Sequence, residues 1–186
     1  MKRTVVFVVL LFVSTLLHAG EVKTRPENWA KPLNAGNLEN FYQLDAKVYR
    51  SAQPGRKGCR SLQQLGIRNI LNLRDYHSDN DEAKGLGMKL YRVKMEAGDI
   101  KVRDVVTALR IIRESEGPIL IHCWHGSDRT GLISAMYRIV FQNWSKEEAV
   151  DELKNGGYGY HSMYGNIPAF IKDADIDQIK KQVFTP

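Results

Sequence analysis

Short apolar runs rich in Ile, Leu and Val alternate with amphipathic segments over most of the chain. The run at residues 118–122 is almost continuously apolar, which is typical of a strand buried on both faces. Strands that alternate with helices predict a single compact α/β domain whose central, mainly parallel sheet is flanked by helices. The predicted strands cover residues 48–49, 67–73, 88–93 and 118–122.

Helices are predicted where apolar residues recur every three or four positions. Residues 130–142 are apolar almost all round, which indicates a helix at the centre of the domain. Ser145 and Glu148 have the spacing of a capping box at a helix start. The predicted helices cover residues 101–114, 130–142, 146 to Gly156-Gly157, and a last segment carrying Ile176, Ile179 and Val183. Residues 155–164 are predicted to form a loop.

The first twenty residues have the pattern of a signal peptide. Lys2 and Arg3 precede an apolar run at residues 5–17, and small Ala19 follows it. The run is shorter than the roughly 18 apolar residues of a membrane-spanning helix. We therefore expect residues 1–19 to be cleaved near Ala19 and the protein to be exported to a bacterial periplasm without stable membrane insertion. An uncleaved signal that anchors the protein in the membrane is the alternative.

The chain length of 186 residues fits one domain. Residues 20–46 contain prolines and asparagines without any apolar period, so an extended N-terminal arm, packed loosely on a catalytic domain at residues 47–186, is predicted.

Charge and cysteine content narrow the function classes. The formal net charge is +6, no long Lys/Arg run is present, and no nucleic-acid partner is expected. A mild positive charge instead favours anionic substrates. The two cysteines, Cys59 and Cys123, exclude a disulfide-rich scaffold and a four-thiolate zinc site. We predict that both are free thiols, because a bond between them would disable the site around Cys123.

The strongest chemical signal lies where the strand at residues 118–122 meets the helix that begins at Thr130. A loop at a helix N-terminus directs unpaired N–H groups and the positive end of the helix dipole at one point, which binds anions. The same field favours the thiolate of Cys123 over the thiol. Arg129 can hold two phosphate oxygens with its planar guanidinium, and Gly126 allows a tight turn close to the ligand.

Each residue of this loop receives a predicted role. Trp124 to Arg129 form a phosphate cradle, His122 braces the loop, and the Thr130 hydroxyl hydrogen-bonds the thiolate. A metal site made by His122, Cys123 and His125 is disfavoured, because side chains of an emerging strand alternate in direction. We expect neither metal nor cofactor. The predicted phosphate-binding residues are Trp124, His125, Gly126, Ser127, Asp128 and Arg129.

The pattern His122-Cys123-x-x-Gly126-x-x-Arg129-Thr130-Gly131 resembles the signature of the cysteine-dependent protein tyrosine phosphatases, in their compact dual-specificity-like branch. The resemblance extends over most of residues 48–148 and is closest to exported bacterial members. It implies the fold of these phosphatases and a two-step hydrolysis, in which Cys123 forms a phosphocysteine that water then cleaves.

The same resemblance implies that an acidic side chain upstream of the cysteine protonates the leaving group. Asp99, in the loop after the strand at residues 88–93, is our first choice, although it could equally cap the helix that follows. Asp128, inside the cradle, and Glu96 are the alternatives.

The expected substrate is a phosphorylated protein, with phosphotyrosine ahead of phosphoserine or phosphothreonine. The variable cradle positions carry no lysine, which disfavours substrates with several phosphates. A phosphoinositide or inositol phosphate phosphatase stays open as an alternative, as does a module that binds phosphate without turnover.

Overall fold

The computed structural model describes residues 25–185, and the predicted signal peptide at residues 1–19 lies outside this range. None of the described helices is both long and apolar enough to cross a membrane. The strands are β1 (Lys31–Pro32), β2 (Tyr42–Gln43), β3 (Val48–Ser51), β4 (Asn69–Asn72), β5 (Lys89–Arg92) and β6 (Ile119–His122). The α-helices are α1 (Arg56–Gln64), α2 (Val102–Glu114), α3 (Asp128–Gln142), α4 (Lys146–Asn155), α5 (Asn166–Asp173) and α6 (Ile176–Phe184), with a 3₁₀ turn at Ser162–Tyr164.

The strands form one six-stranded sheet in the order β1-β2-β3-β6-β4-β5. Strands β3, β6, β4 and β5 are parallel, whereas β1 and β2 pair antiparallel at one edge. The predicted α/β domain with a mainly parallel sheet is therefore confirmed. Strand β6 lies between β3 and β4, so the chain leaves its carboxyl end at the middle of the sheet, where ligands bind in open α/β folds.

Alternate residues of the central strands pack into two separate cores. Ile119 and Ile121 of β6 join the larger core with residues of α2 to α6. Leu120 points to the opposite face and packs in a smaller core with Cys59 and Leu62 of α1. Cys59 and Cys123 are both free thiols, as predicted, and lie in different cores.

A buried ion pair ties the helices to the N-terminal segment. Arg138 of α3 donates from Nε to Glu152 Oε2 of α4 at 3.0 Å. Glu152 Oε1 also accepts from the backbone N–H of Ala30 at 2.6 Å and from the Tyr158 hydroxyl at 2.8 Å. A buried carboxylate is stable only when its oxygens are satisfied, and these donors satisfy both of them.

The structure corrects the prediction of a loosely packed arm at residues 20–46. The described part of this segment contributes β1 and β2 to the sheet, and it buries Ala30, Phe41 and Leu44. Strands of two residues are too short to show an alternating pattern, which is why the sequence did not reveal them. The domain therefore begins before residue 47.

Helix boundaries agree closely with the sequence pattern. The capping box is formed by Glu148 N–H to Ser145 Oγ at 3.1 Å and by Ser145 N–H to Glu148 Oε2 at 2.9 Å. Helices α1 and α5 were not among the predicted helices. Helix α1 is largely polar and buries only Gly58, Cys59 and Leu62, so its apolar pattern is short.

Candidate active site

Cys123 follows β6 directly and is 2% exposed, at the start of a loop that enters α3 through the N-cap residue Ser127. Gly126 has a φ of +74°, and a Cβ atom at this position would lie 2.5 Å from the backbone carbonyl of Ser51. The glycine is therefore required by β3, which passes under the loop. The positive φ agrees with the tight turn predicted at Gly126, whereas the contact with β3 cannot be read from the motif.

The carbonyl groups of this loop all point outwards. Cys123 O lies 3.0 Å from His122 Nδ1, and Trp124 O accepts from the backbone N–H of Gln53 at 2.9 Å. His125 O accepts from Asn40 Nδ2 at 2.8 Å, and Gly126 O accepts from Arg50 Nη2 at 2.6 Å. The N–H groups of residues 124–127 have no acceptor within residues 25–185. They are available for an anion at the N-terminus of α3.

His122 is fixed from both ring nitrogens. Its Nε2 lies 3.0 Å from Asp79 Oδ2, in a pair whose side chains are at most 1% exposed. Gln53 Nε2 donates to the other Asp79 oxygen at 2.8 Å. Burial opposes ionisation of Asp79, but the hydrogen bond and charge of His122, with further hydrogen bonds from Gln53 and Asn72, outweigh it and lower the Asp79 pKa. Asp79 is thus a charged anchor for the residue that precedes the cysteine.

Arg50 is a site residue that the sequence did not reveal. It is 1% exposed, and its guanidinium stacks 3.6 Å from the centre of the Tyr158 ring while it holds the Gly126 carbonyl. Burial lowers the pKa of Arg50, against the opposing influence of Tyr158, Glu152 and Cys123. No local motif marks this arginine, because β3 lies far from the cysteine in sequence.

The segment at residues 155–164, whose role was not derivable from sequence, clamps the loop from the other side. Ser127 Oγ donates to Tyr158 O at 2.6 Å. Asp128 accepts from the backbone N–H of His161 at 3.0 Å and pairs with His161 Nδ1 at 2.8 Å. The side chains of Ser127 and Asp128 therefore contact this segment, and only their backbones face the predicted cradle.

A cleft of about 280 Å³ opens beside the loop, with Arg74, Glu96, Trp124, Arg129 and Tyr164 among its walls. Arg129 Nη1 donates to Met95 O at 3.1 Å, while its buried Nε has no partner within the described chain. The Arg74 guanidinium lies 4.6 Å from the Trp124 ring centre. Burial and the charge of nearby Arg129 lower the pKa of Arg74. Both arginines line this cleft.

The acid candidates occupy different surroundings. Asp99 is 58% exposed, pairs with Lys101 at 2.6 Å, and is not part of the cleft wall. It does not cap α2 either, because Lys101 is the N-cap residue. Glu96 does line the cleft, whereas Asp128 is held by His161.

Thr130 differs from its predicted role. Its Oγ1 atom is buried and has no hydrogen-bond partner among the described residues, so the expected bond to the Cys123 sulfur is not formed.

A model of the tyrosine phosphatase family matches residues 37–183. The chain belongs to the tyrosine phosphatase family. Among its relatives, the dual specificity protein phosphatase TpbA of Pseudomonas aeruginosa is 35% identical over 170 residues, which are 88% of this chain and 75% of TpbA. The inositol diphosphatase SIW14 of Saccharomyces cerevisiae is 31% identical over 153 residues, which are 77% of this chain and 53% of SIW14.

Solved structures of the same relatives share the fold of this tyrosine phosphatase family member. A cysteine-to-serine variant of TpbA in complex with phosphotyrosine superposes with a TM-score of 0.78 at 30% identity, over 88% of this chain and 100% of that chain. The catalytic domain of SIW14 in complex with citrate gives a TM-score of 0.67 at 32% identity, over 77% and 90% of the two chains.

The interaction of the Asp79 carboxylate with His122 leads to a prediction about the stability of the fold. Because the Asp79 pKa is lowered in the folded state, its contribution is present at neutral pH and is lost as the pH falls below about 4. Asp79→Asn should lower the free energy of unfolding at pH 7 by about 1.5–3 kcal/mol, the range for hydrogen bonds to a charged group. Urea denaturation from pH 7 to pH 3.5 should show the difference shrinking. The exposed Asp81→Asn is the control, and a difference that is constant with pH would contradict the charged anchor.

Proposed function

We propose that this protein is a metal-independent phosphatase that hydrolyses phosphomonoesters through a phosphocysteine intermediate. The observation that carries the proposal is the position of Cys123, at the start of a loop whose N–H groups have no acceptor among the described residues and which leads to Arg129, whose buried Nε also has no partner there. These donors would stabilise the charge that develops on the equatorial oxygens of the transferred phosphoryl group.

The reaction is proposed to have two steps. The Cys123 thiolate forms a bond to phosphorus while the ester P–O bond breaks, and an acidic side chain gives its proton to the leaving oxygen. The same side chain, now a carboxylate, then takes a proton from water as the water oxygen attacks phosphorus and the S–P bond breaks. Phosphate leaves and the thiolate is restored, so the cycle needs no metal or cofactor.

Phosphotyrosine on a protein is the substrate that we favour, with phosphoserine and phosphothreonine next. Support comes from TpbA, a relative named as a dual specificity protein phosphatase, which has been solved with phosphotyrosine. Half-exposed Trp124 at the mouth of the cleft offers a flat apolar surface for the phenyl ring. An inositol phosphate is the second candidate, since several relatives are named inositol diphosphatases and Arg74 adds a second cation to the cleft.

Whether phosphate release requires Cys123 tests the proposed class of enzyme. Phosphate release from a phosphotyrosine peptide, a phosphoserine peptide and a soluble inositol phosphate should proceed in excess chelator with reductant. Cys123→Ser should abolish release, because a serine hydroxyl is not ionised at neutral pH, whereas Cys59→Ala should retain it.

The three substrates also separate the alternatives. The phosphotyrosine peptide should have the highest kcat/KM of the three. A higher kcat/KM for the inositol phosphate would show that the second candidate is the substrate class. Saturable binding without any phosphate release would show the non-catalytic module instead.

We propose Glu96 as the proton donor, since it lines the cleft, in place of the first choice Asp99. Glu96→Gln keeps the shape of the side chain and removes its proton, so kcat should fall by about 10²–10⁴, the usual contribution of general acid catalysis. Asp99→Asn and Asp128→Asn are the matched variants and should change kcat little. A large loss in Asp99→Asn with normal Glu96→Gln would restore the original assignment.

We also propose that residues 1–19 direct export and that the mature chain works in the periplasm. The basic start, the short apolar run and Ala19 support this proposal. N-terminal sequencing of the protein recovered from the periplasm of an expressing bacterium should give Gly20. A chain that starts at Met1 and sediments with membranes would show the anchored alternative.

A further inference from the structure

Three side chains in the loop between β4 and β5 meet outside the catalytic cleft. His77 Nε2 lies 3.3 Å from Glu82 Oε1 and 3.9 Å from Asp79 Oδ1. One nitrogen and two carboxylate oxygens, one from each residue, all lie within 4.8 Å of one another. With zinc bonds of 2.0–2.2 Å, the donors of a tetrahedral site stand about 3.3–3.6 Å apart. The separation of His77 Nε2 from Glu82 Oε1 fits this spacing, and the separations that involve Asp79 are longer but stay within 4.8 Å.

Two atoms of this cluster lack the partners that buried polar atoms normally have. His77 Nε2 and Glu82 Oε2 are both inaccessible to solvent and make no hydrogen bond within residues 25–185. Leaving a buried polar atom unpaired is unfavourable, because the atom has lost its hydrogen bonds to water without replacing them. A cation that accepts the imidazole lone pair and the carboxylate oxygens at once would satisfy both residues.

The cluster is also held in place by neighbours that are not part of it. Asn72 Nδ2 donates to the backbone carbonyl of His77 at 3.1 Å. The buried Asp79 carboxylate is oriented by His122 and Gln53. Such outer hydrogen bonds orient the ligands of a metal and raise its affinity.

We propose that His77, Asp79 and Glu82 form a binding site for a divalent transition metal, with Zn²⁺ as the best match. One imidazole and two carboxylates are a common zinc ligand set, and water would complete the tetrahedron. The ion takes no part in the hydrolysis. Its effect reaches the loop that begins at Cys123 through Asp79, which is bonded to His122. Zinc and His122 share the Asp79 carboxylate. Bound zinc therefore weakens the interaction of Asp79 with His122, and this lowers turnover.

A cluster without metal, in which a protonated His77 pairs with the two carboxylates, is the competing explanation. The cations that face the cluster are His122, which bonds Asp79, and Arg74, whose pKa is raised by Asp79 and Glu82 although burial lowers it more. Neither makes a hydrogen bond or an ion pair with His77 or Glu82 among the described residues.

Zinc binding is best measured on the full chain with the Cys123→Ser substitution, because the catalytic thiolate would itself bind Zn²⁺. Calorimetric titration of the chelator-stripped protein should give one Zn²⁺ per chain. Glu82→Gln and His77→Ala should each weaken binding by more than the roughly 10–100-fold loss caused by removing an outer partner. The matched control is Glu116→Gln, since Glu116 pairs at the surface with Lys89 and should not affect the titration.

Two further readouts locate the ion and its effect. In protein labelled with ¹⁵N-histidine, Zn²⁺ should shift the ring signals of His77. In the chain with Cys123 intact, zinc buffered at a concentration that saturates this site should lower kcat, and Glu82→Gln should remove that part of the inhibition. Equal zinc affinity in Glu82→Gln and its parent, or shifts confined to His125 and His161, would overturn the proposal.

Discussion

The outward direction of the loop carbonyls is the constraint on which the site depends. A peptide group that turns its carbonyl away from a centre turns its N–H towards it, so four external donors leave the N–H groups of a short loop directed to one side and without acceptors among the described residues. The donors are Gln53 N–H, Asn40 Nδ2, Arg50 Nη2 and the ring of His122. No charged side chain from the loop itself is needed for this arrangement, and the buried Nε of Arg129 has no partner among the described residues.

The fold of the domain places these four donors around the loop. The parallel pairing of β3 with β6 brings Arg50 opposite Ile121 and carries the chain on to Gln53 below the loop. The antiparallel edge strands β1 and β2 flank Asn40, which also donates to Tyr158 O at 2.9 Å. The buried Arg138 and Glu152 pair fixes the segment that contains Tyr158. Distant parts of the chain therefore converge on one short loop.

Local signals were sufficient to predict the core of this architecture. The strand and helix on either side of Cys123 were visible because long apolar periods and a capping box are properties of neighbouring residues. The roles of Arg50, Asn40 and Asp79 were not visible, since each depends on contacts with residues far away in the sequence. Asp99 and Glu96 lie three positions apart in one loop, and their directions depend on a turn that spacing alone does not define.

The separation of the two cores has a consequence for oxidation chemistry. Cys59 packs on the opposite face of the sheet from the core that holds Cys123, and burial with the charges of Asp79 and Glu82 raises its pKa to about 12. A neutral, enclosed thiol neither attacks a sulfenic acid nor reaches one across a sheet. Peroxide damage at Cys123 therefore has no resolving cysteine within the chain, and recovery depends on a thiol supplied by another molecule.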